Sequence, residues 1–170
     1  MENRLLAPSA DSTGNRLANL VRKATVQDVA EMIRLERQCP TTAHWTKQQY
    51  ADLFAASAES PARLALVGEE KGSSALAGFL VARYLPPEWE LENIVVAPAV
   101  RRMGIGRQLM EALEVQARET TGTAIFLEVR ESNTAARRLY EKLGFIETGR
   151  RKAYYSNPSE GAVLYSKTLV

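Results

Sequence analysis

A glycine-containing loop between a strand-like and a helix-like segment constrains the fold more than any other feature of the chain. Residues 89–96 are apolar enough for a strand, and the sequence Arg-Arg-Met-Gly-Ile-Gly-Arg at 101–107 opens a run with helical period. The first-turn amides of a helix have no partner inside it and their dipoles add, so this position suits an anion. Glycine lets an anion approach the backbone without meeting a Cβ atom. We therefore predict a strand–loop–helix unit that can bind a phosphate.

The spacing of this loop excludes two common nucleotide-binding motifs. No Gly-Lys-Ser/Thr sequence follows, as a Walker loop requires, and the second gap does not fit the dinucleotide pattern G-x-G-x-x-G. The flanking arginines would add charge-assisted contacts to an anion. A glycine turn that only connects strand and helix is the alternative that the residues leave open.

The periodicity of the remaining chain predicts the order β-α-α-β-β-β-α-β-α-β-β, which describes an α/β (α+β) fold with a mixed central sheet flanked by helices. The predicted strands are 20–23, 63–67, 75–84, 89–96, 124–129, 145–153 and 162–168, and the predicted helices are 25–38, 46–58, 133–143 and one that starts at 104. Residues 1–18 have the composition of a flexible tail. We expect one domain over 19–170.

The fourth predicted strand has an irregular pattern. Trp89 and Leu91 alternate with glutamates, but the alternation ends at the apolar run 94–96. A bulge near Asn93 would change which face points inward. A strand end that is buried on both faces would give the same pattern.

Composition excludes several classes of site and of partner. Cys39 and His44 are the only residues of their types, which excludes an intrachain disulfide and a multi-histidine metal site and leaves a Ser-His or Cys-His nucleophile only His44 as its base. We therefore expect no metal. The net charge is +2, and the basic residues form short clusters, so nucleic acid is not an expected partner. Residues 1–19 lack the apolar core of a signal peptide and no run approaches about 20 apolar residues, so we expect a cytoplasmic protein without a membrane partner.

Two segments resemble one known family. The pattern Arg101-x-x-Gly104-x-Gly106, after the sequence Asn-Ile-Val-Val-Ala-Pro at 93–98, is similar to the acyl-CoA signature of the GNAT superfamily of N-acetyltransferases. The segment 127–145, with the sequence Leu-Glu-Val-Arg-x-x-Asn-x-x-Ala-x-x-Leu-Tyr-x-x-x-Gly-Phe, resembles a second part of that family. Within the superfamily, the likeness is to the bacterial ribosomal-protein-alanine N-acetyltransferases and covers roughly residues 20–168.

The resemblance implies a fold and a co-substrate. The fold would be a mixed, mostly antiparallel sheet with a V-shaped opening between strands 4 and 5, in which the pantetheine of acetyl-CoA would lie. Backbone groups on the fourth strand would hold pantetheine, the amides of the loop would hold the pyrophosphate, and a helix-capping asparagine would contact the coenzyme. The implied coenzyme contacts are Ile94, Val95, Val96, Arg101, Arg102, Met103, Gly104, Ile105, Gly106, Arg107 and Asn133. Core packing is the alternative for the strand residues.

The resemblance also implies two catalytic residues. Glu128 would accept the proton of the amine, and Tyr140 would protonate the departing thiolate. A buried-strand carboxylate is costly unless it is paired or used, so an ion pair with Arg130 or another cation is the alternative for Glu128. Glu90 and Glu92 are reserve candidates for the base. Helical period alone would make Tyr140 a core residue.

The implied acceptor is the N-terminal amine of a protein, such as a ribosomal protein. Trp45, Tyr154 and Tyr155 would form its binding slot, although Trp45 could equally pack a helix junction. Where the resembling enzymes usually carry Glu-Asp-Ala, this chain has glycine at 161. This departure leaves open a small-molecule amine as acceptor, and a catalytically inactive acetyl-CoA-binding module is a further alternative.

Overall fold

The computed structural model describes residues 20–55, 62–70 and 72–169. The predicted tail at 1–18 and both predicted domain limits lie outside the described residues. The predicted order of strands and helices is confirmed. The elements are β1 Leu20–Lys23, α1 Val29–Arg37, α2 Lys47–Asp52, β2 Arg63–Glu69, β3 Leu76–Leu85, β4 Glu88–Val96, α3 Ile105–Glu119, β5 Ala124–Arg130, α4 Thr134–Lys142, β6 Ile146–Tyr155 and β7 Glu160–Thr168.

The predicted helix-start signals form a complete capping box at α2 and one half of a box before α1, where the Thr25 side chain accepts no hydrogen bond from the described residues. The amide of Thr25 donates to Asp28 Oδ2 at 2.7 Å, and a short 3₁₀ turn leads from there into α1. At α2, the amide of Gln49 donates to Thr46 Oγ1 at 3.2 Å, and the amide of Thr46 donates to Gln49 Oε1 at 2.8 Å. These reciprocal bonds satisfy amides that have no partner inside the helix.

The predicted extension of the second helix to 58 is wrong at its described end. Helix α2 stops at Asp52, and residues 53–55 are not helical. The amide of Leu53 donates to the carbonyl of Tyr50 at 3.3 Å, and the amide of Phe54 donates to Ala51 at 3.3 Å. The chain therefore tightens into i→i+3 turns, which is a common way for a helix to end.

The seven strands form one sheet in the order β1-β2-β3-β4-β5-β7-β6. Among the strands that the structure describes, only the β4–β5 pair is parallel, so the predicted mixed, mostly antiparallel sheet is confirmed. Helices α3 and α4 cover one face, where Ile105, Leu109 and Tyr140 are buried. Helices α1 and α2 cover the other face through side chains that include Met32 and Tyr50. Among the described residues, no helix has both the length and the apolar character needed to cross a membrane.

Strand β4 contains the predicted bulge. Val81 of β3 faces Asn93, but the next residue, Ala82, faces Leu91, so Glu92 is the extra residue. The bulge reverses the inward face: Leu91 packs on the α3 side of the sheet, and Val95 packs on the α1 side.

The pairing of β4 with β5 ends just before this bulge. The paired positions run from Glu88 with Ala124 to Leu91 with Leu127. Within these two described strands, residues 92–96 have no partner positions on β5. The V-shaped opening between the strands stays a prediction.

Candidate active site

The loop before α3 has the backbone geometry that its glycines predict. Gly104 precedes the first residue of α3 and has φ +87°, and Arg102 also has a positive φ of 65°. A Cβ at Gly104 would meet no described atom within 4 Å, so the conformation rather than the space favours glycine here. The carbonyl of Gly104 accepts from the amide of Gln108 at 3.0 Å, which leaves the first-turn amides directed out of the helix start.

Gly106 brings the start of α3 close to β4 and α4. A Cβ at this position would lie 3.1 Å from Leu139 Cδ2 and 3.6 Å from Val96 Cγ2. Ile105 beside it is 2% exposed and anchors the loop in the core. The loop is therefore fixed against the bulged strand.

Two of the loop's arginines have partners on the chain itself. Arg101 Nη2 lies 3.3 Å from Cys39 Sγ, and its Nε lies 3.5 Å from the carbonyl oxygen of Val96. Arg107 pairs with Glu111 on the next turn, with 2.7 Å between Nε and Oε1. The predicted contacts of these arginines with a coenzyme stay predictions.

Glu128 lies on β5, beyond the last residue that pairs with β4. Its Oε1 is 3.0 Å from Arg151 Nη2, and its side chain is 21% exposed. A hydrogen bond with Glu128 raises the pKa of Tyr154 above its ordinary value. The expected alternative, an ion pair, is therefore present, but the partner is Arg151. Arg130 is committed elsewhere, because it pairs with Glu160 at 2.9 Å.

The two reserve carboxylates are more heavily paired than Glu128. Glu92 Oε2 accepts from Arg63 Nε at 2.7 Å, and its Oε1 accepts from Arg63 Nη2 at 3.1 Å. Glu90 pairs with Arg83 through both guanidinium nitrogens that face it. Since proton acceptance would have to compete with two-point contacts from a guanidinium, Glu128 is better suited to act as a base.

Tyr140 is a core tyrosine, as its helical period predicts. It is 3% exposed, and its ring centroid lies 5.9 Å from that of Phe145 and 6.1 Å from that of Tyr165. Burial raises the pKa of Tyr140 well above its ordinary value. The hydroxyl is therefore protonated at neutral pH but is a weaker acid than an ordinary phenol, and its role as a proton donor stays a prediction.

Asn133 caps α4 as predicted. Its Oδ1 accepts from the amide of Ala136 at 3.2 Å. The side chain oxygen is thereby used by the helix start. The additional contact of Asn133 with a coenzyme stays a prediction.

A cavity of about 390 Å³ brings four of the predicted residues together. Most of its lining side chains are polar or aromatic. The lining residues are Ala43, Trp45, Gln49, Asp52, Arg63, Glu90, Leu91, Glu92, Glu128, Tyr154 and Tyr155. Neither Tyr140 nor the 101–107 loop lines this cavity. In the part of the chain that the structure describes, no three His, Cys, Asp or Glu side chains are grouped to hold a metal ion.

The aromatic wall of the cavity is held by its neighbours. Trp45 packs on Tyr50 with 5.7 Å between ring centroids, so it both packs the helix junction and lines the cavity. Tyr154 and Tyr155 meet edge to face at 5.0 Å, and the Arg130 guanidinium lies 4.3 Å from the centroid of the Tyr155 ring.

Sequence reasoning missed the contribution of α2 and β2 to this cavity. Asp52 and Arg63 both line it. No motif marks either residue, because each lies on an ordinary amphipathic element. Only the tertiary structure shows that they line the same cavity as Glu128.

The structure gives a physical reason for the glycine at 161. A Cβ at Gly161 would lie 2.9 Å from Glu131 Oε2 and 3.0 Å from the carbonyl oxygen of Arg151. The carboxylate of Glu131 already occupies the space beside this backbone. Aspartate at 161 would therefore collide with Glu131 unless one of them moved.

The comparisons with known proteins agree with this architecture. The model described as "Acetyltransferase (GNAT) family" matches residues 29–145, which is more than half of the chain. The chain belongs to the acetyltransferase (GNAT) family. The predicted family resemblance is thus confirmed.

Relatives with ribosomal acceptors are among the similar proteins. A [ribosomal protein bS18]-alanine N-acetyltransferase from Haemophilus influenzae is 43% identical over 84 residues, which are 49% of this chain and 57% of that protein. A Bacillus subtilis protein, whose name gives the same activity provisionally, is 30% identical over 150 residues, covering 88% of this chain and 95% of its own length. The solved structure of the ribosomal-protein-S18-alanine N-acetyltransferase from Escherichia coli has a TM-score of 0.75 and 28% identity, and the match covers 89% of this chain and 94% of that one. The matched stretch thus spans little more than half of the Haemophilus protein.

Proposed function

We propose that this protein is an acetyl-CoA-dependent N-acetyltransferase that acetylates the N-terminal α-amine of a protein, of the ribosomal-protein-alanine type. The observation that carries the proposal is the convergence of Glu128, Trp45, Tyr154 and Tyr155 on one cavity. This cavity adjoins the point where β4 and β5 stop pairing. Family membership supports the acetyl transfer.

The coenzyme would bind on the backbone of the loop and of β4. The positive φ of Gly104 and the close packing of Gly106 on Leu139 and Val96 shape the start of α3, where the first-turn amides and the helix dipole favour the negative charge of a pyrophosphate. Backbone groups of Ile94, Val95 and Val96 have no partner positions on β5 and are available to the pantetheine arm. Bound there, acetyl-CoA supplies the thioester that the amine consumes.

The reaction would be a direct aminolysis without an acyl-enzyme. The amine nitrogen bonds to the thioester carbonyl carbon as the C–S bond breaks, and a strand amide such as that of Val95 or Val96 stabilises the oxyanion. Glu128 accepts the proton that the amine loses, directly or through water, and Tyr140 gives a proton to the leaving sulfur. An α-amine with a pKa of about 7.7–8.0 loses its proton far more readily than lysine at about 10.4, so a modest base suits N-terminal amines.

The charges of the cavity fit a cationic acceptor. Asp52, Glu90, Glu92 and Glu128 line it, and the three glutamates pair with Arg83, Arg63 and Arg151, so the carboxylates exceed these arginines by one. This acidic character favours an ammonium group over an anionic substrate. The similar proteins named for bS18 support a ribosomal protein as acceptor, which would place the activity in the cytoplasm.

A small-molecule amine is the second candidate acceptor, on account of position 161. The glycine there, at the start of β7, stands where the resembling enzymes usually carry a carboxylate. Glu131 fills the vacated space but pairs with Arg150, with 3.3 Å between Oε1 and Nη1. An inactive acetyl-CoA-binding module is less well supported, because both proposed proton-transfer residues are present.

The test compares acceptors under identical conditions. Coenzyme A release would be measured with a peptide that starts with alanine, with its N-terminally blocked form, and with a panel of free amino acids and polyamines. We expect turnover of the free-ended peptide only. Faster turnover of a free amine would contradict the proposed acceptor, and calorimetry that showed no binding of coenzyme A would contradict the whole proposal.

A further inference from the structure

A buried carboxylate near the candidate site has no role in the proposed chemistry. Glu36, at the end of α1, is 2% exposed. Its Oε2 accepts from the amide of Trp45 at 3.0 Å, and its Oε1 accepts from Asn93 Nδ2 at 2.7 Å. Among the ion pairs of residues 20–55, 62–70 and 72–169, none includes Glu36. Burying a carboxylate without an ion-pair partner is costly, and its hydrogen bonds have to offset that cost.

The two partners of Glu36 belong to different parts of the site. Trp45 lines the acceptor cavity. Asn93 is 5% exposed and directly follows the extra residue of the β4 bulge. One carboxylate therefore connects the acceptor wall to the strand that is expected to hold the coenzyme arm.

The chemistry of this contact fits a carboxylate better than its amide analogue. Both partners are N–H donors, and an ionised carboxylate only accepts. A glutamine would present its own NH₂ group to one of the two donors. The ring of Trp45 is also packed against Tyr50, and burial together with the charge of Glu36 raises the pKa of Tyr50 above its ordinary value.

We propose that Glu36 is a positioning residue that fixes the Trp45 wall against the bulged strand and thereby sets the affinity for the acceptor. It touches no substrate and acts through Trp45 and Asn93. The inference rests on the proposed function, because it takes the cavity beside Trp45 as the acceptor site. A misplaced wall weakens acceptor binding even when the reacting groups are intact.

The first test is Glu36→Gln, with Glu31→Gln as the matched control. Glu31 lies on the same helix, is half-buried and pairs with Arg34. We expect the KM for the alanine-starting peptide to rise about tenfold in Glu36→Gln, as loss of a charge-assisted hydrogen bond would give. The kcat and the KM for acetyl-CoA should change by less than about threefold, and the control should match the wild type. An unchanged peptide KM would overturn the proposal.

The second test exchanges donor and acceptor in the double variant Glu36→Gln, Asn93→Asp. The glutamine NH₂ can then donate to the new carboxylate, while its oxygen accepts from the Trp45 amide. We expect the peptide KM to return to within about threefold of the wild-type value. A double variant that binds acetyl-CoA normally but keeps a high peptide KM would overturn the proposal, even if Glu36→Gln alone did not fold. So would a uniform loss of kcat and both affinities in Glu36→Gln, since that indicates a merely structural role.

A failure of the inference about Glu36 can be distinguished from a failure of the proposed function. A wild-type protein that turned over no alanine-starting peptide would contradict the proposed acceptor, whatever the variants did. The same KM comparison would then use the amine that the wild type accepts. That comparison of KM values decides whether Glu36 has the positioning role.

Discussion

The coenzyme end and the acceptor end of the candidate site are built in different ways. At the coenzyme end, the consecutive residues 101–107 present backbone amides, and their conformation depends on glycine at 104 with φ +87°. At the acceptor end, the side chains of Trp45, Arg63, Glu128 and Tyr154 come from four distant segments to line one cavity. The first end depends on local backbone geometry, and the second depends on the order of strands in the sheet.

This difference predicts different kinds of sensitivity. A site built from backbone groups tolerates changes of side chain, but it does not tolerate a residue that cannot adopt the required φ. A cavity lined by paired side chains is sensitive to the loss of a single contact, because removing one group of a pair leaves its partner exposed or unsatisfied. Substitutions at the two ends should therefore separate coenzyme affinity from acceptor chemistry.

The largest expected effect is at Glu128. Glu128→Gln keeps the size of the side chain and removes its ability to accept the proton of the amine. We expect kcat to fall about a thousandfold, within the range for loss of a general base, with coenzyme affinity unchanged by calorimetry. Glu90→Gln and Glu92→Gln are the controls. A larger loss in either control, or full activity of Glu128→Gln at every pH, would show that the base is elsewhere.

The next effect concerns Tyr140. Tyr140→Phe preserves ring packing but removes the proton donor, and we expect kcat to fall about a hundredfold with little change in Tm. Because burial raises the pKa of Tyr140 above its ordinary value, its hydroxyl stays protonated as the pH rises, and it should cause no decline in wild-type rate between about pH 7 and 9.

Tyr165→Phe provides the contrast for this variant. Tyr165 is 1% exposed, and its hydroxyl donates to Glu141 at 2.7 Å. This control should lose stability in thermal unfolding but little kcat. Equal loss of kcat in both variants would indicate that Tyr140 acts only through packing.

A smaller effect should appear at the coenzyme end. Gly104→Ala adds a Cβ in open space but strains a left-handed φ by about 1–2 kcal/mol. We expect the Kd for coenzyme A to rise about tenfold, with kcat at saturating acetyl-CoA nearly unchanged. Gly149→Ala, where no described atom lies within 4 Å of the new Cβ, is the matched control. Reduced stability with normal coenzyme affinity would mean that the glycine serves only the turn.

The smallest effect concerns the crowded backbone near the acceptor end. Gly161→Asp should lower the free energy of unfolding by about 1 kcal/mol, because the new side chain would crowd Glu131. Most of that loss should disappear in a Glu131→Ala background. Urea denaturation of the four variants in this cycle measures the coupling, and additive losses would show that the two side chains do not compete.

Much of the fold was predictable because its signals are short-range. The Thr46 and Asn133 caps formed as their sequences predict. The broken alternation at 94–96 indicated either a bulge near Asn93 or a strand end buried on both faces, and the register shift shows the bulge. The end of α2 was not predictable, because helical propensity continues past Asp52 while the chain tightens there.

Within the site, the sequence predicted several of the residues but not the side chains with which they pair. The segment around Glu128 identified a candidate base, but only the structure shows that its ion pair is with Arg151 and that Arg130 binds Glu160. The sequence also gives no reason to connect Glu36 with Asn93, because the two residues are far apart in the chain and only the fold brings them into hydrogen-bond contact.

The sequence by itself determined the strand–loop–helix unit around Gly104, the element order and the family, since these depend on neighbouring residues and on periodic burial. Only the tertiary structure decided which charges meet, which carboxylate fills the space beside Gly161, and which elements enclose the acceptor cavity. The physical reason is that pairings between side chains far apart in the chain depend on which strands become neighbours in the sheet, and no local pattern specifies that order.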